Sequence, residues 1–422
     1  MAHPIRLGLL PCLLFPLLLA TPAVGAIQPK VPAVFAFGDE LLDTGNCLAL
    51  PGVPRLADSK PYGLATFGRP TGRYSDGKLV VDHLADLLGI PYLIPYAVTA
   101  LINVTDAHRT SRAANEVLPA VPLTESAAQL AHGISYAACG AGALQSTAGW
   151  SSLEEQVAAF EWAVKNGTWA PMTVTNALVV MSVGSHDYVH AASKKGAVSQ
   201  FLETQVVSVM SEAVSSLYSL GLRRFLLLGV PAIGCTPKYR GRIDTQGGRC
   251  DEKLDSAALG HNVMLKTAAH GLRERMKGAV VVVVDTFEFV FSAIAAAEKA
   301  GWDDVKVPCC SGECSKDKAF TVCDRPAKYL WWDDLHLSDA ANRQLAQRIF
   351  DGHGGYTTPG SLADALGFAK LGPVDEQGRE KEIWESPEWA ALAWVAFCFV
   401  YVACLVYAQL PRPAPPGRYS RP

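Results

Sequence analysis

Val280-Val281-Val282-Val283-Val284 is the stretch that most restricts the fold of this chain. Five β-branched residues in a row favour an extended backbone, since two substituents on each Cβ leave little rotamer freedom in a helix. No polar residue alternates with them, so neither face of the strand is meant for water. Such a strand belongs in a sheet covered on both sides, as parallel sheets between helices are. Val34 to Phe37, Leu178 to Val183 and Phe225 to Val230 have the same strand length and chemistry. Between them lie helical patterns. Leu153, Val157, Phe160 and Val164 recur at helical spacing behind a Ser151/Glu154 capping-box signature, and longer helices are expected from about Val198 to Leu220 and from about Leu254 to Met276. Strands alternating with helices predict an α/β fold, a three-layer αβα domain around a mostly parallel sheet.

The two ends are of another kind. Arg6, the apolar run Leu7 to Ala20 and the small residues Val24-Gly25-Ala26 form a signal-peptide pattern over residues 1–26, so the mature chain is expected to begin near Ile27. Residues 27–371 read as one catalytic-type domain and 372–388 as a charged, proline-containing linker. From Trp389 to Ala408 no residue carries a formal charge, a length that matches a bilayer core; a C-terminal transmembrane helix is expected over 389–408. Arg412, Arg418 and Arg421 in the tail, residues 409–422, would hold that end in the cytoplasm. These features predict a single-pass membrane protein of the secretory pathway, with its domain extracellular or lumenal. A formal net charge of -3 provides no basic field, which argues against nucleic acid as a partner.

Cysteine usage fits export. Outside the signal and the apolar span stand Cys47, Cys139, Cys235, Cys250, Cys309, Cys310, Cys314 and Cys323. Arithmetic alone leaves their pairing open; Cys235 with Cys250, and pairs within Cys309 to Cys323, would close short loops and are favoured. Cys139 reads equally well as a small buried side chain. Asn103-Val-Thr105 and Asn166-Gly-Thr168 are glycosylation sequons, made relevant by export.

Four segments carry the chemistry. Val34 to Phe37 ends abruptly in Gly38-Asp39-Glu40-Leu41-Leu42-Asp43-Thr44-Gly45-Asn46, which puts a carboxylate at the mouth of the turn. Ser135-Tyr136-Ala137-Ala138-Cys139-Gly140-Ala141-Gly142 is the second segment, and Gly184-Ser185-His186-Asp187, directly after an apolar strand, is the third. The fourth is Trp332-Asp333-Asp334-Leu335-His336, just ahead of a helix expected at Ser338 to Phe350. In this order they resemble the four blocks of the plant GDSL esterase/lipase family, a branch of the SGNH hydrolases. Arg69 to Gly77, Gly229 to Cys235 and the Cys309-Cys310 region support the resemblance, which spans nearly the whole domain.

The resemblance implies an αβα fold and a hydrolase of carboxylic esters, acting on acyl lipids or acetylated polysaccharide without metal or cofactor. It implies a serine nucleophile in the first block, and an Asp and a His three residues apart in the fourth, the His as general base and the Asp orienting its ring. Asp333 and His336 match. The oxyanion hole of such enzymes uses a glycine of the second block and an asparagine of the third, with the nucleophile's own backbone N–H; Gly140 is the match for the glycine. Two positions depart from the pattern: Glu40 stands in place of the serine and His186 in place of the asparagine. A histidine can still donate a hydrogen bond, whereas the glutamate removes the hydroxyl that would form an acyl-enzyme.

Four consequences of Glu40 compete. In the first, its carboxylate sits in the oxyanion hole facing His336 as a resident anion, and hydrolysis is reduced or lost. In the second, Glu40 is itself the nucleophile or a base on water, against which stands the anhydride that carboxylate attack on an ester would give. In the third, Glu40, His186, Asp333 and His336 converge on a metal ion. Outside catalysis, the domain is a membrane-tethered binding protein that keeps a pocket for ester-bearing molecules without turning them over.

Overall fold

The computed structural model describes residues 30–49, 57–97, 130–147, 151–193, 200–240, 248–312, 314 and 319–368. The signal pattern, Asn103, the linker and the apolar stretch 389–408 lie outside the described residues. Seven strands form one sheet in the order β2-β3-β1-β4-β5-β6-β9. They are β1 Val34–Gly38, β2 Ile94–Pro95, β3 Gly133–Ser135, β4 Leu178–Ser182, β5 Arg224–Leu228, β6 Val280–Val284 and β9 Thr357–Thr358. All neighbours are parallel except β6 with β9. A second pair, β7 Cys310–Gly312 and β8 Phe320–Val322, is antiparallel.

The four expected strands are the middle of the sheet, and β1 and β4 are buried at every position, as a sheet covered on both faces requires. The five valines form β6 from end to end. Helices supply the cover in two groups. Helix α1 (Val80–Leu88) packs against α7 (Asp339–Asp351); α2 (Leu153–Lys165), α4 (Gln200–Ser219) and α5 (Glu252–Arg275) pack in series, with α3 (Ser185–Ser193) against α5. Helix α6 (Thr286–Ala295) follows β6 directly. Helix α2 starts one residue later than the pattern suggested: Ser152, not Ser151, is its N-cap, accepting from the Glu155 N–H while Glu155 Oε2 accepts from the Ser152 N–H at 2.8 Å. The capping box is real; its register moved because Leu153 is wholly buried, which places the first helical turn.

Parallel strands put all their carboxyl ends on one edge of the sheet, and this topology assembles the site. Strand β1 lies between β3 and β4, with Gly38 opposite Ser182. The first motif therefore emerges with the second, after β3, on one side and the third, after β4, on the other. Gly38 makes the exit possible. It has φ +131°, and a Cβ on it would lie 1.6 Å from the Ser182 carbonyl oxygen. The Gln156 side-chain amide clamps the same residue, accepting from the Gly38 N–H at 2.7 Å and donating to its C=O at 2.9 Å.

Among the described residues four disulfides are present: Cys47–Cys139, Cys235–Cys250, Cys309–Cys323 and Cys310–Cys314. The short-loop pairs are those expected. Cys139 is more than a small buried side chain, because Cys47 stands within bonding reach across 92 residues of sequence, their Cα atoms 5.9 Å apart.

Candidate active site

Glu40 lies two residues past β1, half-buried, in a turn where the Leu42 N–H donates to the Asp39 C=O. Its carboxylate Oε2 accepts from the Gly140 backbone N–H at 3.0 Å. Gly140, at φ +64°, sits in a loop held from two sides. Before it, Asp43 Oδ2 accepts from the Cys139 N–H at 3.1 Å, and the disulfide joins Cys139 to Cys47. Beyond it, buried Asp187 accepts from the N–H groups of Ala143 (2.9 Å) and Leu144 (3.1 Å) and from the Thr147 hydroxyl. Asp43 also accepts from the Gly45, Asn46 and Cys47 N–H groups, so one carboxylate organises both the turn bearing Glu40 and the loop bearing Gly140. Asp39 is fully buried beside Glu40. Burial, and then the Glu40 charge, push its carboxyl well above the usual carboxylate range.

Asp333 and His336 form the second half of the site, just ahead of α7. The His336 ring donates from Nδ1 to Asp333 at 2.8 Å, the only polarity possible when the partner is a carboxylate. Asp333 Oδ1 accepts from the N–H groups of Leu335 and His336, each at 2.8 Å, and Oδ2 from the Tyr62 hydroxyl at 2.8 Å. Burial alone would raise the Asp333 pKa, but these donors and the neighbouring imidazole hold it below the usual value. For His336 burial disfavours the charged ring; Asp333, and to a lesser degree Glu40, overcome it and hold the pKa above that of an ordinary histidine. Tyr74 packs on the His336 ring, centroid to centroid 4.8 Å. The preceding segment is fixed by the disulfide-bonded hairpin, whose Cys309 and Cys310 N–H groups donate to the Trp331 and Trp332 carbonyls at 3.0 and 2.7 Å.

Glu40, His186 and His336 line one cavity of about 180 Å³. The sequence-predicted residues are thus brought together: Gly140 touches Glu40 directly, Asp333 holds His336, and His186, on the first turn of α3, faces the same space. Tyr62, Gln156 and Asp187 escaped sequence reasoning as supports of the site. Asp187 had a signal, its place beside His186 in the third motif, whereas Tyr62 and Gln156 stand in no motif. Among the described residues no group of three metal-type ligands includes Glu40 or His336; the two groups with suitable geometry, Asp43 with Cys47 and Cys139, and Asp255 with Cys235 and Cys250, both contain a disulfide.

A family model described as GDSL-like lipase/acylhydrolase matches residues 34–349. The chain belongs to that family. A GDSL esterase/lipase of Arabidopsis thaliana is 28% identical over 357 residues, covering 79% of this chain and 89% of that protein. GDSL esterase/lipase 6 of the same plant is 23% identical over 375 residues, covering 86% and 97%. A GDSL lipase of Tanacetum cinerariifolium is 26% identical over 362 residues, covering 82% and 91%. A solved GDSL-like lipase from Parabacteroides merdae aligns at 13% identity with a TM-score of 0.33, covering 81% of this chain and 98% of that one.

Proposed function

We propose that this family member carries the scaffold of an ester hydrolase whose oxyanion hole is occupied by its own side chain, so that hydrolysis is reduced or lost. The observation that carries this proposal is the 3.0 Å hydrogen bond from the Gly140 N–H to Glu40 Oε2. In an acyl-transfer enzyme a backbone N–H of this kind serves the oxygen that becomes negative in the transition state. Here a permanent carboxylate takes the donor, and an ester carbonyl that sought it would displace an anion. The nucleophile is missing at the same position. The Asp333–His336 pair remains, with no hydroxyl at residue 40 for it to act on.

The domain would then serve as a tethered binding protein for ester-bearing small molecules, lipids or polysaccharide, or for fragments of them. The apolar stretch 389–408 would be its single membrane span, and the secretory pathway its route. Lys30 and Gly367, at the two ends of the described domain, are hydrogen-bonded to each other, and Arg224, the first residue of β5, donates to the Lys30 C=O at 2.7 Å. Lys30 and Gly367 thus lie at the amino ends of the strands, opposite Glu40.

Glu40→Ser is the test. It restores a hydroxyl and empties the oxyanion hole, so the variant should hydrolyse short p-nitrophenyl esters and be labelled by a fluorophosphonate probe, while the wild type does neither. A folded Glu40→Ser protein that stays inert would show that more than residue 40 has been lost. Turnover by the wild type above a Glu40→Gln control would favour Glu40 as a working carboxylate.

A further inference from the structure

The cavity beside Glu40 has a largely apolar floor. Leu228, Phe289, Val290, Trp331, Leu337 and Leu345 line it, and all six are buried. Its floor therefore lies in the core, and its rim, with half-buried Glu40, Ser185 and His186 and exposed Lys238, opens outward. Three polar side chains in the lining have their donors committed elsewhere: the Thr236 hydroxyl donates to the Ile233 C=O at 2.8 Å, the Thr286 hydroxyl to the Gly229 C=O, and the Asn342 amide to the Leu337 and Ser338 carbonyls, while Ser185, His186 and exposed Lys238 stand toward the rim. His336 Nδ1 is taken by Asp333, and the Gly140 N–H by Glu40 Oε2. Glu40 Oε1 differs. Among the described residues it has no donor, and it belongs to a carboxylate that faces the cavity. The site is thus a chamber with an apolar floor, an unused anionic acceptor, and the Gly140 donor already taken.

We infer that the cavity is a binding site for an uncharged alcohol with a compact apolar body, the hydroxyl donating to Glu40 Oε1, and that it rejects the corresponding carboxylate. This rests on the proposal that Glu40 stays in the oxyanion hole. An apolar cavity of about 150 Å³ takes a benzene-sized guest, so a body of about six to eight carbons suits this one. A fatty acid anion would bring a second negative charge against Glu40 and find the Gly140 N–H occupied; the alcohol brings the donor that Oε1 lacks. The two halves of an ester are therefore told apart, with the alcohol kept. Exposed Lys238, in the same lining, marks the alternative pose, in which a carboxylate head stays at the rim with its tail inside.

Titration calorimetry of the full-length protein with 1-hexanol and with hexanoate at neutral pH tests this. Hexanol should bind about tenfold or more tightly than hexanoate, the size of one hydrogen bond to a charged acceptor. Glu40→Ala should remove that preference, and Val290→Phe, which fills the chamber, should abolish binding of hexanol. Hexanoate binding as tightly as hexanol, a preference that survives Glu40→Ala, or no hexanol binding to the wild type would each overturn the inference. Ester turnover by the wild type is read separately: it would sink the proposal about the oxyanion hole whichever ligand the chamber prefers.

Discussion

Gly38→Ala should be among the most damaging single substitutions in the protein, although it adds one methyl group. Gly38 ends β1 at φ +131°, and the added Cβ would lie 1.6 Å from the Ser182 carbonyl oxygen, 2.5 Å from its carbon and 3.1 Å from its nitrogen. These are backbone atoms of β4, paired with β1 on one side and β5 on the other, so no side chain can swing aside. Relief requires β1 and β4 to part, which strains the Asp39 N–H to Ser182 C=O bond and both bonds of the Gln156 clamp. The unfavourable φ costs about 1–3 kcal/mol, overpacking about 1–3 kcal/mol, and each lost hydrogen bond about 0.5–1.5 kcal/mol. The total, about 4–10 kcal/mol, rivals the whole stability of a typical domain. Gly89→Ala is the control: its φ is +70°, but no described atom lies within 4 Å of its Cβ position, so only the backbone cost of about 1–2 kcal/mol applies. Urea unfolding followed by tryptophan fluorescence compares the two at constant m. If Gly38→Ala unfolds within about 1 kcal/mol of Gly89→Ala, the rigid β1–β4 contact is not what holds the Glu40 turn.

Replacing Cys47 and Cys139 together by serine frees a link across 92 residues and should cost about 2–5 kcal/mol in the same urea assay; an unchanged midpoint would mean that Asp43 and Asp187 keep the Gly140 loop in place without it. Asp339 gives a prediction on acid stability. Burial would raise its pKa, but bonds from His83, from the Lys78 N–H and from the Thr66 hydroxyl depress it to about 2 from 3.8. A depressed carboxylate pKa means stability that is present above the unfolded value and is lost as pH falls through the folded one. About 2 kcal/mol should therefore disappear between about pH 4 and pH 2, and Asp339→Asn should flatten that part of the stability curve, as thermal melts across that range would show.

The sheet was legible because its middle strands are buried on both faces: nothing but strand chemistry fits Val280 to Val284 or Leu178 to Ser182 there. The edges were not. Strand β3 is three residues, Gly133–Ser135, and β2 is Ile94–Pro95, too short for any period to register; β3 pairs on the template that Val34 to Ala36 offer, and β2 in turn on β3. The site was legible in the residues that face the cavity, since a family motif names them. Its supports were not, because Tyr62 reaches Asp333 across 271 residues and Gln156 reaches Gly38 across 118, and a sequence carries no mark of such contacts. Cys139 failed for the same reason: pairing by short loops favours near neighbours, and its partner was brought to it by the parallel alignment of β1 with β3.

Glu40 and His336 also act on each other, and that can be measured without any substrate. Burial disfavours the His336 imidazolium, yet Asp333 and then Glu40 stabilise it, so its folded pKa stands above the unfolded value of about 6.5. A raised histidine pKa contributes stability that is fully present below the unfolded pKa and is lost as pH rises through the folded one. Glu40→Gln keeps an acceptor for the Gly140 N–H but removes the charge. The His336 pKa should fall, and part of the stability seen at mildly acid pH should go with it, while Asp333, with its bonds from Tyr62, Leu335 and His336 itself, keeps the ring oriented. Titration of the ring protons by NMR in wild type and Glu40→Gln reads the shift directly. A pKa that stays put or rises would mean that the two groups do not share a field. The carboxylate at position 40 would then be only the filler of a hole, and not the counter-ion of the histidine left behind beside it.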